Sequence, residues 1–223
     1  RLAAHNIMKD VDIVDLRWGV NTQDLPEEER ESKVLKQCLD GIRMSRPYFV
    51  AFIGDRYGWI PPLSKWRKVA GELSGEESDK MGDELVEAKS VTELEILFGA
   101  LKDRKNLSNS FFMFRDSRVY DTMKPEDLRR YSDADSKQRE RLAELRKKIL
   151  AAYQGTGLEH NLMQYSCQYD GRMVIGENEF LELVNILVRS IVSNEMDNAL
   201  NSTDLDSLIG RPHPRAKRLF GGA

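Results

Sequence analysis

The segment Tyr48-Phe49-Val50-Ala51-Phe52-Ile53 is apolar or aromatic throughout, with none of the alternation that lets a strand face water on one side. A run of this length has to be covered on both faces, which is the pattern of a strand inside a parallel sheet. Phe111-Phe112-Met113-Phe114 repeats it. Val11-Asp12-Ile13-Val14-Asp15-Leu16 is short and β-branched, and 162–169 has strand-like composition, so four strands are expected. Helical periodicity fills the intervals. In 27–45, Val34, Leu35, Cys38, Leu39 and Ile42 form one stripe behind the acidic turn Glu27-Glu28-Glu29, where a helix dipole favours carboxylates, and Pro47 closes the segment. Ser90 opens the next helix, with Glu93 at capping-box spacing and Val91, Leu94, Phe98 and Leu101 as its apolar face. A narrow stripe of Leu142, Leu145 and Ile149 marks 136–153, and Phe180 to Ile191 supplies a longer one within 177–200. Strands alternating with helices predict an α/β fold with a doubly wound parallel sheet.

In such sheets ligands sit beyond the carboxyl ends of the strands. The fold therefore gathers the segments Arg17-Trp18-Gly19, Asp55-Arg56-Tyr57-Gly58-Trp59 and Arg115-Asp116 at one edge. Aromatic planes there could stack on a base while guanidinium forks hold phosphate or ribose, making Arg17, Trp18, Asp55, Arg56, Tyr57, Trp59, Arg115 and Asp116 the candidate ligand residues. The competing reading is structural: the rings anchor the loops, and Arg17 and Arg56 pair with Asp15 and Asp55. Capping explains Glu93. Glu95 borders the buried face of the same helix and is the candidate for stabilising positive charge on a sugar ring, or else pairs with a nearby base.

Composition narrows the function. The 223 residues carry 34 Lys+Arg against 37 Asp+Glu, a net charge of −3, which is not the basic footprint of a dedicated nucleic-acid binder. No apolar run reaches the roughly 18 residues that span a bilayer. Two cysteines, Cys38 and Cys167, and three histidines, His5, His160 and His213, support neither a disulfide framework nor a metal centre, so no metal is expected and the cysteines suit a reducing, cytoplasmic setting. No P-loop, Gly-x-Gly-x-x-Gly turn or Gly-x-Ser-x-Gly elbow occurs. The length suggests one domain with elaborations. Residues 1–200 form that domain, with polar insertions at about 63–89 and 116–160, and 201–223, with two prolines among Arg211, Arg215, Lys217 and Arg218, reads as a linker.

Four segments occur in order: 14–20 (Val-Asp-Leu-Arg-Trp-Gly-Val), 54–61 (Gly-Asp-Arg-Tyr-Gly-Trp-Ile-Pro), 90–96 (Ser-Val-Thr-Glu-Leu-Glu-Ile) and 111–116 (Phe-Phe-Met-Phe-Arg-Asp). From about residue 11 to 195 the chain resembles the TIR-like domain that precedes NACHT-type NTPase modules in STAND proteins, among them nephrocystin-type, telomerase-associated-type and NACHT–WD-repeat proteins. The resemblance implies a flavodoxin-like sheet in which these strands are the second to fifth. The first strand would then precede Arg1, residues 1–9 would end the first helix, and a NACHT-type module would follow Ala223, so that the chain is a piece of a longer protein. It also implies two functions: a signalling or scaffold module with protein partners or self-association, or a TIR-type NAD glycohydrolase. In the second, Glu95, ahead of Ile96, matches the catalytic glutamate and NAD is the substrate. Nucleotide sensing without turnover is a third expectation.

Overall fold

The computed structural model describes residues 26–71, 88–172, 174–176, 182 and 184–193. The expected strand 11–16, Arg17, Trp18, and the tail 201–223 lie outside these. The chain divides into two compact units, Val14–Leu181 and Arg1–Ile13 with Glu182–Ala223. In the second unit 184–193 is helical, within the helix expected over 177–200.

The first unit holds the apolar runs. Helix α1 (Glu27–Ser45) leads to strand β1 (Phe49–Ile53), then α2 (Leu63–Gly71) and α3 (Val91–Ile96), which continues as a π-helical segment, Leu97–Leu101. After the 3-10 helix Arg104–Asn109 come β2 (Ser110–Arg115), α4 (Pro125–Leu128), α5 (Ser136–Tyr153) and β3 (Leu162–Tyr165). Strands β1, β2 and β3 are parallel in that order, with Ala51 beside Phe112 and Met113 beside Met163. The outcome is a mixed α/β domain with a three-stranded parallel sheet flanked by helices. Strand β2 lies between the other two, and Ser110 to Met113 are all buried, as its unbroken apolar run requires.

One sheet face carries Phe49, Ala51, Ile53, Phe112, Phe114 and Leu162. Against it pack Ile96 and Ala100 from α3 and its extension, with Leu142, Leu145, Ile149 and Tyr153 from α5. The narrow stripe of α5 is thus fully used. Helix α3 has a second apolar flank. Its Leu94, with Val91 and Phe98, meets Leu35 and Leu39 of α1 and Trp66 and Val69 of α2 in a separate cluster. The polar stretch 63–89 therefore begins with a helix that buries a tryptophan, a feature its composition hides.

Three local expectations need correction. Residues 162–169 are not one strand: β3 stops at Tyr165, and β4 (Cys167–Tyr169) turns into an antiparallel pair with β5 (Val174–Gly176). Gly171, at φ 92°, supplies the left-handed backbone of that turn. The helix opened by Ser90 is α-helical only to Ile96. Glu93 does not close a capping box either. Ser90 Oγ does accept the Glu93 amide at 3.1 Å, but the Glu93 carboxylate points elsewhere, because a stronger partner is near.

Gly99 is where the π segment meets the sheet. A β-carbon there would lie 2.4 Å from the Phe49 ring, closer than contact allows. Gly99→Val should therefore destabilise the domain by roughly 1–3 kcal/mol, the usual cost of overpacking. In urea titrations the midpoint should fall while the slope stays unchanged. An unaltered midpoint would show that this approach is loose.

Candidate functional site

The carboxyl ends of β1 and β2 meet in a polar network centred on Asp55. Strand β1 ends at Ile53, and Gly54 keeps the exit open: a β-carbon at Gly54 would stand 2.7 Å from Arg115 Nη2. Arg115, the last residue of β2, lies across that glycine. Its Nη2 is 3.7 Å from Asp55 Oδ2 and donates at 2.5 Å to the Tyr120 hydroxyl, which donates to the same carboxylate oxygen at 2.6 Å. From the other side, Arg146 Nη2 of α5 donates at 2.8 Å both to Asp55 Oδ1 and to the Gly54 carbonyl. The Tyr120 and Tyr131 rings flank the Arg115 guanidinium at 5.4 and 5.9 Å. Burial, and the hydrogen bond to Asp55, raise the Tyr120 hydroxyl pKa, so it stays a donor.

The next residues are held by two further carboxylates. Asp133, itself buried, accepts the Tyr57 amide at 2.6 Å, lies 3.7 Å from Arg56 Nε, and donates its own amide to the Asp55 carbonyl at 3.3 Å. The Tyr57 ring is buried and its hydroxyl donates to Glu93 Oε2 while accepting the Ser90 amide at 3.3 Å. Lys148 of α5 donates to Glu93 Oε1 at 3.0 Å. Burial, then the bond to Glu93, push the Tyr57 hydroxyl up to about 12. Gly58 follows at φ 96°, a conformation that a side chain would strain. The Val91 amide then donates to the Trp59 carbonyl at 2.9 Å. The loop is thus stitched to the start of α3 and clasped by α5.

Asp55, Arg56, Tyr57, Trp59 and Arg115 gather here, and Asp116 follows directly on Arg115. Asp55 and Arg115 form the centre. Arg56 pairs with Asp133 rather than with Asp55, because Asp55 is already engaged by Arg115 and Arg146. Tyr57 takes the anchoring role, while Trp59 is 44% exposed. Asp116 caps the turn after β2, accepting the Arg118 amide at 2.9 Å and its Nε at 2.7 Å, and this partner lowers the carboxyl below its ordinary pKa. It borders a cavity of about 530 Å³ whose lining includes Thr122, Ser166, Cys167 and Tyr169.

Glu95 lies apart from this network. Its carboxylate is hydrogen-bonded to the Cys38 thiol of α1, between two helices. Burial raises the pKa of both groups, and Glu95 raises that of the thiol further. Arg146, Tyr120, Asp133 and Lys148 went unnoticed in the sequence. They are charged or polar residues in a charged stretch, and no local spacing links them to Asp55 or Glu93. Among the described residues no group of His, Cys, Asp and Glu could hold a metal ion, and no helix is long and apolar enough to cross a membrane.

The fold and this edge define a parallel α/β domain whose strand ends are closed by a buried polar network. Over 164 residues, 71% of the chain, it is 28% identical to telomerase protein component 1 of Mus musculus and 26% identical to that of Rattus norvegicus. Over 142 residues it is 26% identical to a TPR repeat-containing protein of Dictyostelium discoideum. The chain spans 5% of the length of the first two and 8% of the third. No family model and no solved structure matches it.

The raised pKa of Glu95 has a definite sign. The folded state prefers the protonated acid, so burial costs nothing below the ordinary carboxyl pKa of 4.5 and its full amount once pH exceeds the folded value. Glu95→Gln keeps an acceptor for Cys38 and should raise Tm at pH 7, the gain shrinking as pH falls toward 4.5. Thermal melts across that range test it, and a loss of stability at pH 7 would contradict the assignment.

Proposed function

We infer that this chain is a protein-interaction and assembly module of an intracellular, cytoplasmic NACHT-type STAND protein, self-associating when the full protein oligomerises. One observation carries the reading. Val50 and Phe52, on the same face of β1, are 36% and 44% exposed, although both belong to a run apolar enough to be buried on both sides. Exposed apolar side chains on a strand are the signature of a surface that another chain covers.

The relatives support it. Each is a far longer protein, which suits a domain acting as one part of a large assembly, and TPR repeats are themselves extended binding scaffolds. The parallel strand order supports the TIR-like, flavodoxin-like sheet. NAD cleavage is the competing expectation, and the position of Glu95 speaks against it. A carboxylate tied to a thiol in a helix seam, with burial favouring its neutral form, is poorly placed to face a developing oxocarbenium ion.

Size-exclusion chromatography with light scattering tests the reading. The mass should rise above 25.6 kDa with concentration, and Phe52→Asp or Val50→Asp should return it to that value without lowering Tm. A constant monomer that releases nicotinamide from NAD would overturn the proposal.

A further inference from the structure

The hairpin of β4 and β5 has two outer edges, and they differ. In an antiparallel pair, facing residues alternate between those that exchange both backbone hydrogen bonds and those that exchange none. The Val174 amide donates to the Tyr131 hydroxyl at 3.2 Å, so Tyr169 and Val174 are a pair of the second kind. Gln168 and Ile175 are then the bonded pair, and the backbone groups of Cys167 and Tyr169 point away from β5. On the β5 side, Tyr131 takes up the edge at Val174. On the β4 side lies the cavity of about 530 Å³. A cavity over one face of a strand is lined by alternate residues. This one is lined by four in succession, Ser166 to Tyr169, so it runs along the edge of β4. Val119 and Thr122, from the turn after β2, stand across it. Asp116 and Arg118 on that wall are spent on each other, a neutral pair rather than a site for an ion. Among the described residues, neither the amide nor the carbonyl of Tyr169 has a hydrogen-bond partner. Strand donors and acceptors left open along an edge are matched by another extended backbone.

We propose that the groove between β4 and the turn after β2 is a docking site for an extended, uncharged peptide segment of a partner protein, which adds to β4 as a third strand of the hairpin. Tyr169 supplies a backbone donor and acceptor to that segment. A two-stranded ribbon is marginal on its own, and a third strand stabilises it. The site shares no residue with the interaction surface on β1 and stands whether or not that surface is confirmed.

The test is an NMR titration of the 223-residue chain with an end-capped peptide, Thr-Val-Thr-Val-Thr, and with the same peptide N-methylated at every residue. Saturable shifts of the Cys167 and Tyr169 amides are expected, with those of Val50 and Phe52 unmoved. The Tyr169 amide should also exchange more slowly in the complex. N-methylation should weaken binding by about tenfold or more, because it removes the donors an added strand needs. Tyr169→Pro removes one amide without breaking a bond between β4 and β5, and should weaken binding likewise. Thr122→Trp, at an exposed position on the facing wall, should block the groove and leave Tm unchanged. Cys167 and Tyr169 amides that stay unmoved at millimolar peptide would overturn the proposal. So would equal binding of the N-methylated peptide, or binding that Thr122→Trp leaves unaltered.

Discussion

One carboxylate organises the functional edge of this domain. Asp55 sits where β1 ends, and through it the sheet, the segment after β2 and helix α5 are joined. Each partner comes from far along the chain: Arg146 is 91 residues away and Tyr120 is 65. Such a contact gains little until the sheet and helices have brought the groups together, because ordering the chain between them costs entropy. Once formed, in surroundings drier than water, it fixes the direction in which the chain leaves the strand. The loop of Arg56, Tyr57, Gly58 and Trp59 then has one path, along Asp133 and Glu93 to the start of α3.

Helix α5 shows how a single element serves both sides of this arrangement. Its apolar stripe, Leu142, Leu145 and Ile149, lies on the sheet. Its basic residues reach over the edge: Arg146 to Asp55 and Gly54, Lys148 to Glu93, Arg141 to the Ala88 carbonyl. Packing places the helix, and the cations then latch the loop. The carboxylates that would be natural catalytic candidates are consumed by these latches or, in Glu95, by a helix seam. Among the described residues, Val50, Phe52 and Trp59 stay exposed on β1 and the loop that follows it.

The sheet and the long helices were legible because burial writes a periodic signal. The helix read over 27–45 is Glu27–Ser45, that over 136–153 is Ser136–Tyr153, and the run 111–114 lies within Ser110–Arg115. Asp55, Arg115 and Tyr57 were legible as an edge cluster because a parallel sheet gathers its strand ends. Their partners were not. An ion pair between Asp55 and Arg146 leaves no spacing to detect, so Arg56, adjacent in sequence, looked the natural mate. Trp66 and Val69 were hidden by the polar residues around them, and the break between Tyr165 and Cys167 falls at Ser166, inside a stretch whose composition still reads as strand. Glu93 was read as a cap from a local rule that a long-range phenol overrode.

Amide hydrogen exchange of Tyr57 measures directly whether the loop after β1 is as fixed as the core beneath it. Its amide donates to the buried Asp133 carboxylate at 2.6 Å. If the network holds the loop, this amide should exchange as slowly as those of β2, through the same global opening. Exchange at the rate of an exposed loop, with β2 still protected, would show that the Asp55 and Asp133 network does not hold the loop.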